Sequence, residues 1–238
     1  MEAYERRVCR QAGFVVAVSE KDRETMRSRY GVERISAIST GVDLDYFSPP
    51  ATVEHKADLV FVGSMDWLPN IDGVRFLAEQ ILPRIRARRP DCRVAIVGRR
   101  PDAAVRELGE RDPNVIVTGT VADVRPWLWG SSVSIVPLRI GGGTRLKIFE
   151  AMAARVPVIS TTIGAEGLPV ENDRHLFIAD DAESFANACL HLLENQQRRH
   201  QMADEAWNLV SGQFSWDAVT REFETILENY HAHSASIR

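Results

Sequence analysis

The chain has 238 residues, of which 45% are hydrophobic and 26% are charged, a composition typical of a globular protein rather than a disordered one. Its formal net charge of -4 excludes the basic character that general nucleic-acid binding usually requires, so a phosphate-bearing ligand would need a local site. The cysteines form no CxxC pair and no apolar run approaches the roughly 20 residues that span a bilayer, so we expect a cytoplasmic protein with unpaired thiols.

The first 50 residues offer too few elements for a domain of their own. They predict a helix over 1–11, a strand over 14–18, a helix over 20–29 and a short strand over 34–38. The stretch STGVDLDYFSPP that follows is bounded by Gly and Pro and is typical of a linker. Because two strand–helix pieces cannot bury an independent core, we assign residues 1–48 to the remnant of an N-terminal domain and its linker.

From residue 57 onward, short apolar runs alternate with segments of helical period, as in successive βαβ units. The predicted strands are 57–63, 93–98, 114–119, 133–138, 156–161 and 175–179, and the helices between them are 71–89, 102–110, 123–130 and 144–154. The strands are continuous Val/Ile runs, which predicts a doubly wound α/β fold with helices on both faces of a parallel sheet. Three more helices are predicted at 181–194, 196–211 and 215–230, the last with Ser215 as its N-cap.

Several predicted strands end in glycine, namely at Gly63, Gly98, Gly119 and the run 141–143. A glycine after a strand is common in turns, so each one alone has an ordinary explanation. In open α/β sheets, however, ligands bind outside the carboxyl ends of the strands. Four glycine positions at that one edge therefore favour a ligand-binding crevice.

The segment IGGGTRLKIFE combines three glycines with a helix start and charged side chains. Exposed N–H groups and the helix dipole make such a start an anion site. The positive charges of Arg145 and Lys147 are unfavourable near the positive end of the helix dipole, and a bound diphosphate would interact favourably with both the dipole and the side chains. Glu150 could accept hydrogen bonds from paired sugar hydroxyls. The alternative is a glycine-rich turn with solvated charges. Neither the P-loop order nor GxGxxG occurs in the chain.

In this setting PLRIGGGTRLKIFEAMAARVPVIST resembles the signature of retaining GT-B glycosyltransferases of glycosyltransferase family 4, also called glycosyl transferases group 1. LVFVGSMDWLPNIDGVRFL is similar to the first strand, loop and helix of the family's C-terminal, donor-binding domain. VAVSEKDRETM and ISTGVDLDYFSP are similar to the end of its N-terminal domain and the linker. The resemblance covers nearly the whole chain and is greatest to a bacterial subgroup linked to exopolysaccharide or cell-surface polysaccharide assembly.

The resemblance implies a Rossmann-like domain over 49–214 that binds a nucleotide-sugar donor, with 215–238 packing back toward the N-terminal part. Glu150 matches the glutamate that holds the ribose hydroxyls in the family. The other donor-site residues that it implies are Gly63 and Ser64 in the loop near the phosphates, Thr120 and Val121 in the base-binding segment, and Gly142, Gly143, Thr144, Arg145, Leu146 and Lys147 around the diphosphate.

Two departures from the family pattern matter. The family's first glutamate, which contacts the donor sugar, falls at Gly142 here, so the donor sugar cannot be inferred from it. Many members also carry an Arg after the first strand's glycine and a Lys a few residues later, where this chain has Ser64 and then Pro69 or Asn70. We hypothesise that Arg145 and Lys147 supply the missing positive charge.

The resemblance implies a metal-independent, retaining hexosyltransferase that uses a UDP-, GDP- or other nucleotide-sugar and no cofactor. This chain would be the donor-binding half and is expected to be inactive alone, since a sugar, lipid-linked or polysaccharide acceptor would bind to the rest of the N-terminal domain. The run RIRARR at 84–89 is interpreted as the solvated face of a helix, with peripheral contact to the inner face of a membrane as its alternative. Two other functions stay open, a nucleotide-sugar 2-epimerase and a non-catalytic flavodoxin-like binding module.

Overall fold

The computed structural model describes residues 2–141 and 145–235, so the predicted site residues Gly142, Gly143 and Thr144 lie outside the described residues. Its strands are β1 (Val15–Ala17), β2 (Ile35–Ala37), β3 (Ala57–Val62), β4 (Val94–Val97), β5 (Val115–Gly119), β6 (Ser131–Val136), β7 (Val158–Ser160) and β8 (Phe177–Ile178). Its helices are α1 (Glu2–Gln11), α2 (Glu20–Tyr30), α3 (Leu44–Phe47), α4 (Leu68–Phe76), α5 (Leu82–Arg86), α6 (Ala103–Arg111), α7 (Arg125–Trp129), α8 (Leu146–Ala153), α9 (Ala182–Glu194), α10 (Gln196–Gln213) and α11 (Trp216–Ala235). Two compact units divide the chain, residues 1–42 with 211–238 and residues 43–210.

The unit of residues 43–210 is built on a parallel sheet with the strand order β5–β4–β3–β6–β7–β8. Strand β4 is buried along its whole length, and helices cover the sheet as the continuous apolar strands predict. The predicted doubly wound α/β fold is therefore confirmed. The chain moves outward from β3 to β5 and then returns to β6 on the other side of β3, so the strand order reverses between β3 and β6. Ligands bind at the carboxyl ends of the strands at such a reversal.

The other unit joins the first 42 residues to the last helix. Strands β1 and β2 pair in parallel, and the ring of Phe14 lies 5.7 Å from that of Tyr230. The backbone N–H of Val42 donates to the Phe214 carbonyl at 2.7 Å. Ser215 Oγ accepts from the N–H of Ala218 at 3.2 Å, which confirms Ser215 as the predicted N-cap of the last helix.

The predicted linker over 39–50 contains regular structure. Asp43 caps α3 by accepting from the N–H of Tyr46 at 2.8 Å, and Trp129 Nε1 donates to the Phe47 carbonyl at 2.8 Å. A one-turn helix is too short to be stable alone, so a partner 82 residues away in sequence holds it. The stretch assigned to the linker therefore includes a short helix that the sequence did not predict.

The helix predicted over 71–89 starts earlier and is interrupted. It begins at Leu68, passes through a π-helical segment over Leu77–Ile81 and ends at Arg86. Pro83 lacks a backbone N–H, and its ring would clash with the carbonyl four residues earlier in a regular α-helix. The wider π turn before this proline lets the chain continue as a helix.

Most of the arginines in the run 84–89 form ion pairs with carboxylates. Arg86 pairs with Asp112, and Arg88 NH2 donates to both Glu194 oxygens at 3.0 Å. Arg89 NH2 lies 3.4 Å from Asp58 Oδ1. Arg84 and Arg88 are exposed, as expected of a solvated face, and carboxylates distant in sequence form ion pairs with the run in the fold.

Strands β3 and β4 come very close where they end. Gly98 has φ +159°, and a Cβ atom on it would lie 1.6 Å from the carbonyl oxygen of Gly63. The backbone cannot keep this geometry with any side chain at position 98.

We therefore expect Gly98→Ala to lower the free energy of unfolding by about 3 kcal/mol or more, because it adds both backbone strain and a clash with a buried carbonyl. Urea unfolding followed by circular dichroism would measure the change. The control is Gly212→Ala within α10, where a Cβ meets no atom within 4 Å and alanine favours the helix. Equal stability of the two variants would contradict the expectation.

Candidate functional site

The predicted site lies at the carboxyl edge of the sheet, where the strand order reverses. Gly63 follows β3, and α8 follows the loop after β6, the neighbouring strand. A Cβ on Gly63 would lie 2.7 Å from Asn70 Nδ2 and 3.1 Å from Lys147 Nζ. The missing side chain at Gly63 therefore leaves the space that Asn70 and Lys147 occupy.

Asn70 connects the two sides of this edge. Its side-chain Nδ2 donates to the Ser64 carbonyl at 2.8 Å, and its Oδ1 accepts from Lys147 Nζ at 2.8 Å. Asn70 is only 5% exposed, so both hydrogen bonds are protected from water. Asn70 was noted from the sequence only as one of two positions at which the family pattern has a lysine, and it was not among the predicted donor-site residues.

Lys147 carries a charge in a poorly hydrated position. The side chain is half-buried, and its Nζ lies 4.6 Å from the centre of the buried Phe61 ring. Burial is the main cause that lowers the pKa of Lys147 to about 8; the nearby charge of Arg145 contributes to the decrease, and that of Glu150 opposes it. Among the residues that the structure describes, no carboxylate lies within ion-pair distance of this ammonium group.

Glu150 lies one turn beyond Lys147 on α8. Its side chain is half-buried, and burial raises the pKa of the carboxyl while the charge of Lys147 opposes the rise. In the described part of the chain its carboxylate accepts no hydrogen bond, so both oxygens are available as acceptors for a ligand.

Arg145 differs from Lys147 in its surroundings. It is 7% exposed, directly precedes Leu146 at the start of α8, and its NH2 lies 3.6 Å from Glu166 Oε2. Burial lowers the pKa of Arg145, and the Glu166 carboxylate raises it. The two basic residues of the segment are thus not equivalent: Lys147 reaches the loop after β3, whereas Arg145 faces Glu166.

The remaining predicted residues spread along the same edge. Ser64 accepts a hydrogen bond at its Oγ from Arg99 Nε at 2.9 Å, and Arg99 is not among the site residues predicted from the sequence. Thr120 and Val121 follow β5, which is separated from β3 by β4. The structure therefore brings Gly63, Ser64, Lys147 and Glu150 to the reversal point, and it places Thr120 and Val121 two strands away.

The described residues contain no group of three or more His, Cys, Asp or Glu side chains that could hold a metal ion. They also contain no helix with the length and apolar character needed to cross a bilayer.

Sequence comparison matches residues 56–195 to the family model "Glycosyl transferases group 1" and residues 1–46 to "Glycosyltransferase Family 4". An uncharacterized 44.6 kDa protein in the cps region of Klebsiella pneumoniae is 24% identical over 163 residues, 66% of this chain and 42% of that protein. D-inositol 3-phosphate glycosyltransferase 2 of Catenulispora acidiphila is 25% identical over 233 residues, 87% of this chain and 54% of that protein. The chain thus spans about half the length of these relatives.

Solved structures agree in fold. A variant of S. aureus TarM, crystallised with fondaparinux, alpha-GlcNAc-glycerol and UDP, superposes with a TM-score of 0.76 at 17% identity over 94% of this chain and 46% of TarM. Anabaena HepE in complex with UDP and glucose gives a TM-score of 0.75 at 16% identity over 96% of this chain and 67% of HepE. The Rossmann-like, GT-B type of fold that the resemblance implies is confirmed.

The family match covers more than half of the residues, and it includes both the loop after β3 and helix α8 that form the site. The resemblance noted in the sequence and the strand order observed in the structure lead to the same assignment. The chain belongs to the glycosyl transferases group 1 family.

Proposed function

We propose that this chain binds a nucleotide-diphosphate sugar and forms the donor-binding half of a retaining, metal-independent hexosyltransferase. The observation that carries the proposal is the half-buried Lys147 ammonium beside Gly63, where the strand order reverses. Family membership supports glycosyl transfer, and UDP is bound in the TarM and HepE crystals. The relative in the Klebsiella cps region supports a role in cell-surface or exopolysaccharide synthesis.

The diphosphate would lie between the start of α8 and the loop after β3. Lys147 occupies the first turn of α8, where a positive side chain opposes the helix dipole. A bound anion interacts favourably with both, so it removes this conflict. As the bond from sugar to phosphate breaks, negative charge grows on the departing nucleoside diphosphate. Lys147 and the helix N-terminus stabilise that charge, and the buried Arg145 adds positive potential.

The rest of the nucleotide would extend along the same edge. The carboxylate oxygens of Glu150, which accept no hydrogen bond from the described residues, suit a pair of ribose hydroxyls, because a half-buried carboxylate accepts strong hydrogen bonds from such donors. The backbone at Thr120 and Val121 is proposed to contact the base. The acceptor, whether a sugar, a lipid-linked sugar or a polysaccharide, would bind to a fuller N-terminal domain, since the relatives are about twice as long as the matched chain.

Lys147→Gln should weaken nucleoside diphosphate binding about tenfold or more, since a charged hydrogen bond contributes about 1.5–3 kcal/mol. Titration calorimetry with UDP, GDP and ADP at pH 7 would measure this, and the unaltered chain should bind at least one of them with a Kd of about 1 μM to 1 mM. Lys56→Gln is the matched control, because Lys56 is paired with the exposed Glu54 at 2.9 Å. A chain that binds none of these nucleotides, as expected of a flavodoxin-like binding module of another kind, would contradict the proposal.

Glu150→Ala should reduce affinity for the same nucleotide about tenfold and leave affinity for inorganic pyrophosphate unchanged, because pyrophosphate has no ribose. Competition titrations with the two ligands would separate these effects. Glu107→Ala provides the control, since Glu107 is exposed on α6 and pairs with Arg111. Equal losses for nucleotide and pyrophosphate would contradict a ribose contact of Glu150.

Lys147→Met should raise the free energy of unfolding by about 1–3 kcal/mol at pH 7, because the native chain desolvates a charged lysine. The pKa of Lys147 is about 8 in the folded chain against an ordinary 10.5, so the unfolded chain binds more protons between these values. The native chain should therefore gain stability as pH rises from 8 to 10.5, and the variant should not show this gain. Urea unfolding from pH 7 to 10.5 would measure the free energy of unfolding, with Lys56→Met as the control. A Lys147→Met variant that is less stable than the unaltered chain would show that Lys147 stabilises the fold.

A further inference from the structure

A second cation reaches the same loop from strand β4. Arg99 directly follows Gly98, and its Nε donates to Ser64 Oγ at 2.9 Å. Ser64 in turn follows Gly63, beside which Lys147 Nζ lies. The close backbone contact between Gly98 and Gly63 brings Arg99 to this position although 35 residues separate it from Ser64.

Carboxylates near this loop already have other partners. Ser64 Oγ donates to Asp66 Oδ1 at 2.6 Å, and Arg100 NH1 lies 3.4 Å from Asp66 Oδ2. Arg139 forms a two-point ion pair with Asp72 at 2.6 and 3.0 Å. In contrast, Arg99 has no carboxylate partner among the described residues, and Ser64 is neutral. Arg99 is therefore an unneutralised cation at this edge, as Lys147 is.

Asn70 and Ser64 link the two cations. Lys147 is hydrogen-bonded to the Asn70 side chain, Asn70 to the Ser64 carbonyl, and Arg99 to the Ser64 hydroxyl. Lys147 and Arg99 are thus both linked by hydrogen bonds to the loop after β3, and their positive charges repel each other in the absence of an anion. The Nε of Arg99 donates to Ser64, so the two terminal NH2 groups of its guanidinium can donate to a ligand. The spacing of these two groups matches that of a pair of phosphate oxygens.

We propose that Arg99 is a second diphosphate-binding residue, which clamps the diphosphate together with Lys147 across the loop after β3. Ser64 is the positioning residue, since its hydroxyl orients the guanidinium through Nε. The identification of the ligand as a nucleoside diphosphate rests on the proposed function, whereas the clamp itself requires only a diphosphate group.

Arg99→Gln in the full chain tests the clamp, with Arg100→Gln as the matched control. Both substitutions remove one positive charge from the same exposed loop, but Arg100 is paired with Asp66. Titration calorimetry would use UDP, GDP and inorganic pyrophosphate, with thermal unfolding to confirm that each variant is folded. We expect Arg99→Gln to weaken diphosphate binding about tenfold and Arg100→Gln to change it less than about twofold.

The outcomes separate the clamp from the proposed function. An equal loss in the two variants would show that only the general positive potential matters, and this would overturn the clamp, as would unchanged affinity in Arg99→Gln. If the unaltered chain binds pyrophosphate but no nucleotide, the proposed function fails while the pyrophosphate titrations still decide the clamp. If it binds neither, both are overturned.

Discussion

The backbone contact between Gly63 and Gly98, at the ends of β3 and β4, determines where the groups of the site can lie. A Cβ on Gly98 would be 1.6 Å from the Gly63 carbonyl oxygen, so the two strand ends leave no space for a side chain at position 98. Because neither residue has a side chain, Ser64 comes beside Arg99, and the space next to Gly63 accommodates Asn70 and Lys147. The contact between Gly63 and Gly98 therefore leads to a loop after β3 that is hydrogen-bonded to Arg99 and, through Asn70, to Lys147.

The buried charge of Lys147 lowers the stability of the folded chain and favours the binding of an anion. The Lys147 ammonium loses hydration on burial, and the partners that it has among the described residues are the Asn70 amide and the face of the Phe61 ring. Sites that bind anions commonly keep such uncompensated charge, since the ligand supplies the missing partner. Elsewhere in the same unit several arginines pair with carboxylates, as Arg88 does with Glu194 and Arg139 with Asp72. Lys147 is half-buried and has no such partner among the described residues, which distinguishes it from these surface pairs.

Much of the fold follows from local sequence patterns. The continuous Val/Ile runs predict parallel strands buried on both faces, and each of the six predicted strands of the sheet has a counterpart among β3–β8. Element boundaries were less predictable. Helix α3 depends on Trp129, far along the chain, and the helix through Pro83 depends on a π-helical segment that no apolar periodicity indicates. The carboxylate partners of the arginine run 84–89 were not predicted either, because they are distant in sequence.

The sequence alone specified the type of sheet, the edge at which its glycines gather, and the residue types available for an anion and a ribose, because these depend on periodicity and on neighbouring residues. The tertiary structure decided which charges serve the site. It placed Lys147 beside Gly63, turned Arg145 toward Glu166, and brought Asn70 and Arg99 to Ser64. Those choices depend on side chains that meet only after the strands pair, so no local pattern could have revealed them.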